Sequence, residues 1–172
     1  MSDKKALIVI DMQNDYLWAE RKPMFTYDTK VLTENVNAAI QRYRQEGADI
    51  IYIGQMFPDI ITNRLLIGFS IKGTKGAEQY EGLDIVSPLY FEKNLPNTFT
   101  AKRFREHMSK ENYSEITVCG VDLCGCVGAT AEGALKTGAK VSLIESGTGC
   151  RFSPAKAAKR KARLQAEGVL FV

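Results

Sequence analysis

The sequence holds one histidine, His107, and one tryptophan, Trp18, in 172 residues. A lone imidazole excludes the histidine-rich sets that hold catalytic zinc or iron, and a C-x-C zinc site would have to draw its two further ligands from His107 and Cys150, the one histidine and the one cysteine outside the cluster. Cysteine is also sparse: of 4 in all, three lie between Cys119 and Cys126, and only Cys150 stands outside. That is no disulfide framework, and in a reducing compartment these side chains are thiols. No apolar run approaches the roughly 20 residues that cross a bilayer, which excludes an integral membrane protein. Ala6 to Ile10 is too short for a secretory core and meets Asp11 at once, so the expected location is the cytoplasm.

Neither sign of charge predominates, with 23 basic against 20 acidic residues. Basic and acidic residues alternate in most places, as on a solvated helix face. The exception is PAKAAKRKARLQAEG near the C-terminus. It lacks interleaved aromatics and any nucleic-acid motif, so no nucleic-acid partner is expected.

What is present is an alternation of β-branched apolar segments with segments of helical period. ALIVI, DIIYIG, SPLYFEK, SEITVCGV, AKVSLIES and VLFV read as strands. VLTENVNAAIQRYRQEG, FTAKRFREHMSKEN, GCVGATAEGALKTG and SPAKAAKRKARLQAEG read as helices, the last opened by Ser153 and Pro154. The pattern predicts one α/β domain over residues 1–172, a three-layer Rossmann-like fold with a mainly parallel sheet of about six strands and helices on both faces. Residues 56–82, interrupted by glycines, read as a long surface excursion that forms part of a pocket wall.

Ligands of an open parallel sheet bind outside the carboxyl ends of its strands. Asp11 follows the first strand, Gln55 the second, Lys93 closes the third, and the cysteine-rich turn follows the fourth. An acid, a base and thiols therefore meet at one edge. Cys119, inside a strand, reads as core. Cys124 and Cys126 lie where strand turns into helix, where unsatisfied N–H groups and the helix dipole stabilise a thiolate. Either a nucleophile or a C-x-C redox pair fits that position.

LIVIDMQNDY, the lysine of YFEKNLPNTF, and VCGVDLCGCVGATAEGALKTGAKVSLIES together resemble the isochorismatase-like cysteine hydrolases in order and spacing, from the first strand to the fifth. The resemblance implies an Asp-Lys-Cys triad at Asp11, Lys93 and Cys126. It also implies a cis peptide after Val121 that turns the backbone N–H groups of Asp122 and Cys126 toward an oxyanion. Nicotinamidases of this family bind a metal through a D-x-H motif after the second strand. Here Gln55 and Phe57 stand in those places, which points to the branch without metal or other cofactor that hydrolyses small amide, ureido or carbamoyl compounds.

A small-molecule substrate is the expected partner, and the family habit implies a homo-oligomer, dimer or tetramer. Tyr16, Trp18, Gln55, Phe57 and Phe99 are the expected pocket walls, with packing against a helix or subunit as the competing role for Trp18 and Phe99. Two alternatives to hydrolysis stay open: a thiol redox protein using Cys124 and Cys126, and a catalytically silent binding protein on the same fold.

Overall fold

The computed structural model describes residues 3–172. β1 (Lys5–Ile10) runs into one helical turn, α1 (Asn14–Leu17), and then α2 (Thr29–Gln45). β2 (Asp49–Gln55) leads through a short helix, α3 (Ile61–Leu66), and a 3-10 turn (Lys75–Ala77) to β3 (Tyr90–Lys93). A second 3-10 turn (Thr98–Thr100) precedes α4 (Lys102–Glu111). The chain then alternates regularly: β4 (Glu115–Val121), α5 (Cys126–Leu135), β5 (Lys140–Gly149), α6 (Pro154–Glu167) and β6 (Leu170–Phe171).

All neighbouring strands are parallel, in the order β3-β2-β1-β4-β5-β6. This is the expected α/β architecture. Strand order reverses between β1 and β4, so the chains leaving these two neighbours diverge and open a crevice at their carboxyl ends.

Side chains alternate across each strand. Ala6, Ile8 and Ile10 of β1 pack with Phe104 and Met108 of α4, Val127, Ala131 and Ala134 of α5, and Leu164 of α6. Leu7 and Val9 face the other way, against Leu32, Val36, Ala39 and Ile40 of α2. Each fully buried aliphatic side chain contributes about 1.5–3 kcal/mol of hydrophobic stabilisation, so the two slabs hold the sheet rigid beneath the crevice. α2 starts where the Asp28 carboxylate accepts from the Val31 N–H at 3.1 Å. Ser153 caps α6, Pro154 occupies its first turn, and Gly168 ends it at φ +108°. Within α6 the basic run is largely matched by acids: Arg160 pairs with Glu132, Lys161 with Glu145, and Arg163 with Glu167. No helix of the described residues is long and apolar enough to cross a membrane.

Element ends differ from the periodicity in informative places. The helix expected from Phe99 begins only at Lys102, because the Asn97 side chain accepts from the Phe99 N–H and winds a separate 3-10 turn. α5 stops at Leu135 rather than continuing to Gly138, and the Thr137 hydroxyl donates to the Ala134 carbonyl at 2.7 Å. β5 extends to Gly149, past the expected Ser146, after a register shift against β4 between Val118 and Gly120. The extension carries Cys150 and Arg151 to the crevice edge.

Gly120 permits the close approach of β4 to β1 just below that edge. Its φ is +111°, and a Cβ there would stand 2.1 Å from the Ile10 carbonyl oxygen. Backbone cannot swing aside as a flexible side chain can. Gly120→Ala is therefore expected to lose about 3 kcal/mol or more of stability. The shift in the chemical-denaturation midpoint at unchanged m-value measures it.

Candidate active site

Asp11 is the first residue beyond β1. It adopts the left-handed conformation, φ 53°, which side-chain-bearing residues rarely occupy, and its N–H donates to the Ile53 carbonyl at 2.9 Å. A strained backbone held in place by its neighbours is common at functional sites. Lys93 ends β3, and its ammonium reaches across β2 to donate to Asp11 Oδ2 at 2.9 Å and to Gln55 Oε1 at 2.6 Å. The side chains of Lys93 and Asp11 are 0 % and 2 % exposed. Cys126 is the first residue of α5, so its N–H has no acceptor within the helix. Its Sγ lies 3.2 Å from Lys93 Nζ and 4.0 Å from Gln55 Oε1. The structure thus brings together Asp11, Lys93, Cys126 and Gln55, and the Val121–Asp122 peptide is cis.

The thiol does not behave as its helix position alone predicts. Burial pushes the Cys126 thiol well above the ordinary range, and the Asp11 carboxylate pushes the same way against the opposing pull of Lys93. Burial also works to lower the Lys93 pKa, but Asp11 and then Cys126 outweigh it and raise it above the ordinary lysine value. These directions favour an Asp11–Lys93 ion pair beside a neutral thiol over the free thiolate that a helix N-terminus alone would stabilise.

The pocket above this cluster is a cavity of about 330 Å³. Asp11, Tyr16, Gln55, Phe57, Asp122 and Cys126 line it, as do Phe25, Tyr27, Phe69, Asn94, Pro96, Val121, Gly125 and Arg151. Its apolar wall is a set of edge-to-face rings: Tyr16 on Phe25 at 4.9 Å, Phe25 on Phe69 at 5.2 Å, and Phe57 on Phe69 at 6.2 Å between centroids. Phe57 and Phe69 come from the glycine-rich excursion, which does form part of the wall.

Two expected wall residues lie elsewhere. Phe99 packs on Phe104 of α4 at 5.0 Å, beneath the sheet, because the 3-10 turn points it into the core. Trp18 caps the end of α1 in extended backbone and is not among the residues that line the pocket; its carbonyl accepts from the Arg21 guanidinium at 2.7 Å. Cys124 and Cys126, the pair of the redox alternative, are not the two sulfurs that meet. Cys124 Sγ lies 3.7 Å from Cys150 Sγ, while Cys126 turns to Lys93.

Phe25, Tyr27, Phe69 and Arg151 were not legible as wall residues. For Arg151 the edge rule that nominated the ends of the first four strands also applies to the fifth, but the expected end of that strand at Ser146 falls short of it. The aromatic residues sit in loops without periodicity.

The remaining residues of DMQNDY tie the excursion down. Gln13 donates to the carbonyls of Gln55 and Ala77 at 3.1 and 2.7 Å and accepts from the Gln55 N–H at 2.8 Å. Asn14 donates to the Lys75 carbonyl, and the Asp15 carboxylate accepts from the Ser70 N–H.

The isochorismatase domain family matches residues 5–169. The chain belongs to the isochorismatase family. This member is 29% identical over 144 residues to the uncharacterized isochorismatase family protein YddQ of Bacillus subtilis (strain 168), across 81% of this chain and 74% of the relative. Its fold matches the pyrazinamidase of Pyrococcus horikoshii in complex with zinc, at TM-score 0.78 and 24% identity, covering 98% of each chain. It also matches the N-carbamoylsarcosine amidase from Thermoplasma acidophilum, at TM-score 0.80 and 20% identity, covering 98% of this chain and 95% of that one.

The residues present do not fit the metal site that the family resemblance places after the second strand. Gln55 commits Oε1 to the Lys93 ammonium, and Phe57 offers only a ring. Among the described residues, one group brings three ligating side chains together, Asp122, Cys124 and Cys150, on the other side of the turn.

Because Asp11 raises the thiol pKa and Lys93 lowers it, the two substitutions are expected to move alkylation of Cys126 in opposite directions. Asp11→Asn should raise its rate with iodoacetamide at neutral pH by about tenfold or more, and Lys93→Ala should lower it. Rates measured by peptide mapping decide the matter; parallel changes in both variants would contradict this electrostatic account.

Proposed function

We propose that this isochorismatase-family protein is a cysteine hydrolase that cleaves the C–N bond of a small amide, ureido or carbamoyl compound. The observation that carries the reading is that one buried ammonium touches both a carboxylate and a thiol at the floor of a pocket of ligand size. A structural ion pair has no need of the sulfur, and a core cysteine has no need of the charge.

As Cys126 Sγ attacks the substrate carbon, its proton passes to Asp11 and the Lys93 ammonium stabilises the sulfur's negative charge. The substrate oxygen gathers charge in the turn formed by residues 122–126, where the N–H groups of Asp122 and Cys126 act as donors. Asp11 then returns the proton to the departing nitrogen, and ammonia or an amine leaves a thioester on Cys126. In the second half, water attacks the thioester with Asp11 again taking a proton, and the acid departs as the thiol reforms. Each step uses only side chains, backbone and water.

A further element concerns the substrate's far end. Arg151 is the cation among the pocket's lining residues, its guanidinium 5.6 Å from the Phe25 ring and 4.8 Å from Phe152. It makes no ion pair with a carboxylate among the described residues. A guanidinium at an aromatic wall favours a substrate that carries a carboxylate, bound bidentately, away from the scissile bond.

Ammonia release over neutral amides, ureides, and carbamoyl or amide compounds bearing a carboxylate, with Cys126→Ala as the blank, tests the assignment. Asp11→Asn is expected to lower kcat/KM on the best substrate by about 10²- to 10⁴-fold. Near-wild-type turnover in that variant would refute the triad. Arg151→Met is expected to raise KM for carboxylate-bearing substrates at least about tenfold while sparing neutral amides. Equal effects on both classes would remove Arg151 from substrate recognition.

A further inference from the structure

We infer that Cys124 and Cys150 form a reversible dithiol–disulfide site which, when oxidised, clamps the turn bearing Cys126 to the end of β5. The two sulfurs lie 3.7 Å apart although their residues are 26 positions apart in the chain. Both side chains are part-exposed; Cys119 is buried in the sheet, and Cys126, also part-exposed, is turned to Lys93.

The segments that carry the pair are already joined. Leu123 N–H donates to the Gly149 carbonyl at 2.9 Å, and the Asp122 carboxylate accepts from the N–H groups of Cys124 and Arg151 at 2.7 and 2.6 Å. The fold has thus met most of the loop-closure cost, and what remains is to bring the sulfurs to the roughly 2.0 Å of a disulfide. A metal site built on the same cluster is disfavoured, because both Asp122 oxygens are engaged: Oδ1 by Cys124, Oδ2 by Arg151 and by the Tyr27 hydroxyl at 3.1 Å.

The oxidant is a small-molecule disulfide. One thiol of the pair loses its proton to solvent, and its thiolate attacks the oxidant, forming a mixed disulfide and expelling one thiolate that takes up a proton. The second thiol then deprotonates and attacks the protein-bound sulfur, forming the Cys124–Cys150 bond and releasing the second small thiol. The pair loses two protons and two electrons, and the oxidant takes up both to become two thiols. A dithiol reductant reverses the sequence.

The experiment exposes the full-length protein to oxidised glutathione, blocks the remaining thiols with N-ethylmaleimide under denaturing conditions, and maps the peptides. Expected is a cross-link joining Cys124 to Cys150, with Cys119 and Cys126 recovered as maleimide adducts. The oxidised protein should melt about 5–10 °C above the reduced one, since the cross-link restricts the unfolded chain. Cys150→Ser should show no such rise and should retain glutathione on Cys124. A Cys124–Cys126 cross-link, recovery of Cys124 and Cys150 without a bond between them, or a cross-linked protein with unchanged melting would each overturn the inference. None of these readouts depends on Cys126 being a nucleophile.

Discussion

A buried ammonium organises this molecule. Lys93 places its charge where water does not reach, and an ammonium moved out of water costs several kcal/mol unless the site supplies opposite charge and acceptors. Asp11, 82 positions away in sequence, supplies the charge, and Gln55 and Cys126 supply the remaining contacts. Loss of one partner from such a pair typically costs about 3–5 kcal/mol, so the ends of β1, β2 and β3 and the start of α5 are held to a common point. The two hydrophobic slabs give that point a rigid support, and the pairing gives it a unique geometry.

The same balance sets the state of the thiol. Asp11 and Lys93 already cancel, and a thiolate added to the pair would leave an uncompensated negative charge in a region of low dielectric. The Cys126 proton is therefore held until something can take it, and the group within reach is the carboxylate, whose Oδ1 is buried without a hydrogen-bond partner. Moving a proton from sulfur to that carboxylate keeps the net charge of the cluster constant, which makes the transfer feasible in a buried site. In the proposed reaction the substrate's approach, with its oxygen drawn to the turn's N–H donors, supplies the drive for the transfer.

The motif DMQNDY does two jobs in six residues. Asp11 belongs to the charge cluster, while Gln13, Asn14 and Asp15 hydrogen-bond the backbone of the excursion between β2 and β3. A segment without regular structure can form a pocket wall only if its backbone groups are satisfied and its position is fixed, and these three side chains do both. Phe69 stands against Tyr16 and Phe25, and Phe57 against Phe69, as a result.

The sequence by itself determined the α/β class, the strands and most helices, because hydrophobic period is a local property that reports which face of an element is buried. It also determined that Asp11, Gln55, Lys93 and the turn before α5 share one edge, since a parallel sheet places every strand's carboxyl end on the same side. Only the tertiary structure decided what the side chains do there. Phe99 packs on Phe104 rather than into the pocket, because a 3-10 turn sets a direction that composition does not encode, and Trp18 does not line the pocket either. Arg151 reached the pocket through a register shift and a strand extension invisible to periodicity. Cys124 found Cys150 rather than its sequence neighbour Cys126, and the Cys126 thiol is pushed above its ordinary pKa, because burial and the Asp11 charge outweigh what Lys93 and the helix start would do.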